Sequence, residues 1–272
     1  MLSLMRLKRF FLGEPLSNQM EAHERIPKWK ALAVLSSDAL SSVAYATEEI
    51  LIPLAAFGSM AVVWSIPIAL GITTLLFIVT ISYRQTIDAY PSGGGAYIVA
   101  KENLGLYAGL IAGASLLIDY VLTVSVSVAA GVENLSSAFP TLVAHKELLG
   151  VFIIFIITVF NLRGIRESAT VFAAPTYLFI VSFLLLILVG FWKLLTGQAV
   201  PVVAMASEVY PAVPLFLILR AFASGCSALT GIEAISNGIP VFRPPSQKNA
   251  KTTLVWMSLI LGTLFLCITF LS

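Results

Sequence analysis

Ser36-Ser37-Asp38-Ala39-Leu40-Ser41-Ser42 packs four hydroxyls and a carboxylate into seven residues of an otherwise apolar stretch running from about 31 to 57. A stretch of that length matches the thickness of a bilayer. Small polar residues at mid-membrane mark where a helix can unwind, provided the freed backbone lines a cavity rather than lipid. A second stretch, about 213 to 241, carries Ser224-Gly225-Cys226-Ser227, then Thr230-Gly231 and Glu233. The two read alike: Asp38-Ala39-Leu40-Ser41-Ser42-Val43 aligns with Ser227-Ala228-Leu229-Thr230-Gly231-Ile232. Two small-residue packing faces would give the same likeness by chance.

Composition sets the setting of both stretches. Of 272 residues, 58% are hydrophobic and only 11% charged, less than half the charged share of a soluble domain. Apolar runs place seven spans near 31–57, 61–83, 105–139, 148–162, 170–192, 213–241 and 252–272. The net charge of +2 says little, but its placement says more. Thirteen basic residues fall on one side: Arg6, Lys8, Arg9, Arg25, Lys28 and Lys30 before span one, Arg84 and Lys101 after span two, Arg163 and Arg166 after span four, and Arg243, Lys248 and Lys251 after span six. The other side holds Lys146 and Lys193, and Arg220 falls within a span. The positive-inside rule then puts the N-terminus in the cytoplasm. Span one runs outward and span six inward, so the two similar breaks lie in segments of opposite direction. That pattern is the signature of an inverted repeat with a binding site between paired broken helices.

Ionisable residues inside spans are costly and functional by default. The acids are Asp38, Glu48, Glu49, Asp119, Glu133 and Glu233, of which Glu48, Glu49 and Glu133 lie toward the outer ends. The three deeper acids face one base, Arg220, so the cavity should attract a cation or a proton. On span three, Asp119, Thr123 and Ser127 follow an i, i+4, i+8 pattern that stacks them on one helix face, with Tyr120 alongside. Carboxylate, hydroxyl and carbonyl oxygens suit a hard alkali cation; hydroxyls bonded back to their own helix are the plain alternative for Thr123 and Ser127. Asp38 or Asp119 is equally a candidate carrier of a coupling proton.

Other features carry less. Pro91-Ser92-Gly93-Gly94-Gly95 lacks the lysine and flanking strand of a phosphate loop and reads as a tight cytoplasmic turn. Cys226 and Cys267 have no ligand-type neighbours, and His23 and His145 fall in predicted loops. No cleavable signal peptide is evident, and 1–30 forms a cytoplasmic or interfacial arm.

Tyr90-Pro91-Ser92-Gly93-Gly94-Gly95-Ala96-Tyr97, Asn161-Leu162-Arg163-Gly164-Ile165 and Gly231-Ile232-Glu233-Ala234 resemble signatures of the amino acid–polyamine–organocation permeases. Within that superfamily, the strings Leu35 to Tyr45, Gly94 to Val99, Lys101 to Gly105 and Ser224 to Gly231 resemble the bacterial KimA-type potassium importers. The resemblance implies an all-α polytopic membrane protein with a partial LeuT-like fold: a first five-helix repeat over 31–196 and the start of its inverted partner over 213–272. It implies a carrier rather than an enzyme, taking up potassium with a proton in symport across the inner membrane. No cofactor or nucleic-acid partner is expected. A homodimer formed through a soluble C-terminal domain is expected of the full-length protein. On matching positions, Asp38, Tyr45, Asp119, Tyr120, Thr123, Ser125 and Thr230 line the ion path. Asp38, Asp119, Thr123 and Thr230 would hold the potassium, and Asp38, Asp119 and Glu233 are the proton-coupling candidates. Helices eight to ten of the family pattern lie beyond Ser272, so the chain reads as a fragment or truncated product, inactive alone on one reading. Amino-acid permeation is the competing activity, disfavoured because Asp38 would repel a substrate carboxylate.

Overall fold

The computed structural model describes residues 24–162, 165–198 and 213–272. Expectations resting on most of the N-terminal arm, on Arg163 and Gly164, and on 199–212 lie outside the described residues. Six described segments are long and apolar enough to cross a membrane: Ala61–Ala89, Leu106–Ala138, Pro140–Leu162, Arg166–Leu195, Leu215–Asn237 and Ser246–Leu271. The remaining expected span is the first, which is divided into three short helices, α1 (Lys28–Leu35), α2 (Ser37–Ser41) and α3 (Val43–Phe57). Span two contains α4 (Ser65–Ala89). A short helix α5 (Gly95–Leu104) then precedes span three, α6 (Leu106–Ala138). Spans four and five are α7 (Lys146–Leu162) and α8 (Ile165–Leu195). Span six comprises α9 (Leu215–Gly225), a 3-10 turn and α10 (Ala234–Asn237), and span seven is α11 (Ser246–Leu271).

The order of spans matches the sequence reading, but their ends do not. Span two continues about six residues past its expected end at 83, and span seven begins at Ser246 rather than 252. Hydropathy marks only the lipid-embedded part of a helix, whereas the backbone ladder runs on into the polar interface. Arg84, Lys248 and Lys251 therefore sit on helices rather than in loops. The glycine turn is confined to the residues before α5, a helix the sequence did not announce.

Spans one, two, six and seven form most of the core, and span five adds Ala169, Ile180 and Ile187. One buried cluster joins Leu40, Val43, Leu76, Ile232, Ile235 and Leu261; another joins Ala46, Ile50, Ile72, Ala221 and Phe265. Between helices in lipid, packing and hydrogen bonds must replace the hydrophobic effect. Two buried hydroxyl pairs do so against α11, Thr47 with Thr269 at 2.9 Å and Thr80 with Ser258 at 2.7 Å. Helix α8 braces α1 through the Tyr177 hydroxyl, which donates to the Trp29 carbonyl (2.7 Å), and the Thr176 hydroxyl, which donates to that of Ala33 (3.1 Å). Spans three and four instead leave large apolar side chains exposed, among them Leu117, Ile118, Phe152 and Phe155.

The backbone comes close to its neighbours in this core at Gly225. A Cβ there would run into the Ile50 side chain and stand 2.7 Å from Ile72 Cδ1. In the full-length protein, Gly225→Val is expected to cost about 1–3 kcal/mol by overpacking and lower the thermal unfolding midpoint in detergent. Adding Ile50→Ala should recover part of the loss. A Gly225→Val variant as stable as wild type would contradict this packing.

Candidate functional site

The interruption of span one is a bend at Ser36 rather than an unwound strand. Ser36 has φ −107° and ψ −1°, and the backbone on both sides stays near helical values. Its hydroxyls act mostly on their own helix. Ser37 donates to the Val34 carbonyl at 2.9 Å, Ser41 to that of Asp38 at 2.7 Å, and Ser42 to that of Ala39 at 2.6 Å. Such back-bonding competes with the helical ladder and bends it. Ser42 alone among them also reaches span six, meeting the Ala228 carbonyl at 3.2 Å.

Span six breaks more fully and slightly later than Ser224–Ser227. Helix α9 persists to Gly225, Cys226–Leu229 tightens to a 3-10 turn, and Thr230 is extended at φ −65°, ψ 146°. Gly231 then takes φ +77°, a left-handed conformation open to glycine without steric cost. The same residue lies flush against Asp38: a Cβ on Gly231 would stand 2.6 Å from Asp38 Oδ2. The two stretches that align in sequence thus meet in space.

Near that contact Asp38, Asp119 and Glu233 are close enough for their charges to influence one another, without converging as a three-carboxylate cluster. Tyr120 accepts a 2.7 Å hydrogen bond from Asn237 Nδ2. The Tyr45 hydroxyl faces Thr230 and Ser127, and Tyr83 lies near Glu233 and Tyr120. The Thr230 hydroxyl donates to the Ser227 carbonyl at 2.9 Å. Four oxygens here are buried without a hydrogen-bond partner among the described residues: Asp38 Oδ1, Ser227 Oγ, Glu233 Oε1 and Asn237 Oδ1. An unpaired buried oxygen costs free energy unless something completes it. All four are hard acceptors of the kind an alkali cation takes in place of water.

Of the residues named from sequence, Asp38, Tyr45, Asp119, Tyr120, Thr230 and Glu233 come together. Thr123 is partly buried on the Asp119 face. Ser125 does not join them. It is exposed and its hydroxyl donates to the Val121 carbonyl at 2.7 Å, because six residues past Asp119 turns it about a third of a circle away. Among the described residues no three His, Cys, Asp or Glu side chains converge as metal ligands, and both cysteines are free. Asn237 and Tyr83 were missed. An asparagine inside an apolar span, which must find a partner there, was the available signal for the first.

The glycine turn closes one end of this group. Gly93, Gly94 and Gly95 all have positive φ. The Gly94 amide donates to the Asn237 carbonyl at 3.4 Å, and a Cβ on Gly95 would overlap Asn237 Oδ1. The turn is therefore a docking face for the end of span six. At the opposite end, a cavity of about 490 Å³ opens between spans one and three, lined by Tyr45, Glu48, Glu133, Asn134 and Lys146. Glu133 and Lys146 pair there at 2.6 Å.

The chain is 53% identical over 268 residues to the potassium transporter KimA of Bacillus subtilis (strain 168). The match takes in 98% of this chain but spans only 44% of that protein's length. The chain's several apolar spans make it a multi-pass membrane protein, and permeases are carriers rather than enzymes. A family model described as amino acid permease matches residues 27–272, and the chain belongs to that family.

Proposed function

We propose that the chain supplies the first seven spans of a proton-coupled potassium importer working by alternating access. The observation that carries this reading is the Asp38 carboxylate lying against Gly231 where the two breaks meet, with Asp119 and Glu233 in charge range. Arg220, the base within a span, lines a separate cavity with Glu49 and Ser224. An acidic group with unpaired oxygens favours a cation and repels a substrate carboxylate. The similar protein KimA of Bacillus subtilis is a potassium transporter. Asp38, Asp119, Thr123 and Thr230 then offer oxygens to the ion, Tyr45 and Tyr120 bound its path, and Asp38, Asp119 or Glu233 carries the coupling proton. The first repeat runs over 31–196, 213–272 begins its inverted partner, and the full-length protein works as a homodimer.

Orientation belongs to the same reading. Ile26 and Phe242 pair through their backbones, Lys251 bonds Asp88 at 2.6 Å, and Gln247 reaches the Ile87 carbonyl. Residues near 26, 88 and 245 therefore share one end of the bundle, the end rich in lysine and arginine, which belongs in the cytoplasm. With Cys226 and Cys267 replaced, a Ser246→Cys variant should resist an impermeant thiol reagent in intact cells and react after the membrane is opened. Labelling of intact cells would reverse the orientation.

The substrate has its own test. In the full-length protein, Asp38→Asn and Asp119→Asn should each reduce rescue of a potassium-uptake-deficient strain at low potassium to the level of empty vector. Asparagine keeps size and an oxygen but removes the charge that offsets a dehydrated cation in a poorly polarisable site. Both variants growing normally while amino-acid uptake is lost would award the site to amino acids. Potassium uptake by purified wild type that ignores a proton gradient would remove the coupling alone.

A further inference from the structure

We propose that the mouth between the last turns of α4 and the first turns of α11 binds the phosphate headgroup of an anionic phospholipid. Arg84, Lys248, Lys251, Thr252, Val255 and Trp256 line a cavity there of about 380 Å³. Lys251 is committed to Asp88 at 2.6 Å. Arg84 and Lys248 are exposed and form no ion pair among the described residues. Three cations thus face one carboxylate, leaving an excess of positive charge at a helix-lined mouth. The Thr252 hydroxyl is turned to the Lys248 carbonyl at 2.8 Å, so the cations supply the free donors.

The surroundings select a lipid over a free anion. Trp256, eight residues along α11 from Lys248, stands about 12 Å deeper and is 58% exposed. Phe77, Ile78 and Ile81 of α4 and Leu259 of α11 are exposed as well. A basic mouth leading onto an apolar, tryptophan-marked face fits a phosphate with acyl chains attached, and basic pockets between membrane helices are recognised sites for such headgroups. A zwitterionic lipid carries the phosphate but cancels its charge.

The test uses purified full-length protein in detergent, examined by native mass spectrometry and by thermal unfolding. The probes are dioleoylphosphatidylglycerol, dioleoylphosphatidylcholine and inorganic phosphate, each added separately. Phosphatidylglycerol should remain bound and raise the unfolding midpoint, while phosphatidylcholine and phosphate should do neither. The paired substitution Arg84→Gln with Lys248→Gln should weaken phosphatidylglycerol retention roughly tenfold. Lys248→Gln alone, at an exposed position, should weaken it in the same direction by a smaller factor, and Lys193→Gln should leave it unchanged. Equal retention of phosphatidylcholine, or full retention of phosphatidylglycerol by the paired variant, overturns the proposal. A midpoint raised equally by inorganic phosphate assigns the mouth to a free anion and overturns the lipid.

Discussion

The contact between the Asp38 carboxylate and the backbone of Gly231 governs the rest of the structure. A carboxylate at membrane depth is tolerated only where protein or a cavity shields it from lipid. A broken helix is tolerated there on the same terms. Each break gives the other that shelter. Extended Thr230 ends the 3-10 segment, and Gly231, left-handed just after it, lets the chain of span six pass flush beside the carboxylate. Ser42 fastens the same two breaks through the Ala228 carbonyl. Any side chain at 231 would have to displace the acid.

Around this junction the helices are held by a few directed bonds and by close packing. Hydrogen bonds between membrane helices average only about 0.6 kcal/mol, so the Thr47–Thr269 and Thr80–Ser258 pairs fix register more than they supply stability. The packing of Gly225 against Ile50 and Ile72 brings α9 close enough to α3 and α4 for the breaks to meet. On our reading the acids then lie between two differently built ends. Tyr45 separates them from the cavity of Glu48 and Glu133, and the Asn237–Tyr120 bond with the glycine turn closes the other side.

Much of this was legible in the sequence, for identifiable reasons. Span number and order follow from bilayer thickness, which hydropathy counts directly. Asp38 and Asp119 stood out because a charge inside an apolar stretch needs a cause. The likeness of 38–43 to 227–232 pointed to two segments that do touch. What composition could not locate was the residue that leaves the helix in span six. Ser224, Gly225, Ser227, Thr230 and Gly231 could each permit it, and the chain departs at Thr230–Gly231, where Gly231 meets Asp38 on span one. For the same reason the glycine run looked like a simple turn, since its partner Asn237 lies more than a hundred residues away. Ser125 was carried by resemblance to the family, and helical geometry turns it from the group.

On the proposed reading, the acids at the junction bind potassium. Ligand binding to the folded state raises stability in proportion to the logarithm of occupancy, so the direct measurement is the thermal unfolding midpoint of full-length protein. Potassium chloride would be titrated against choline chloride at constant ionic strength, for wild type and Asp38→Asn. A potassium-dependent rise is expected in wild type and none in Asp38→Asn. An equal potassium-dependent rise in both proteins would contradict that reading.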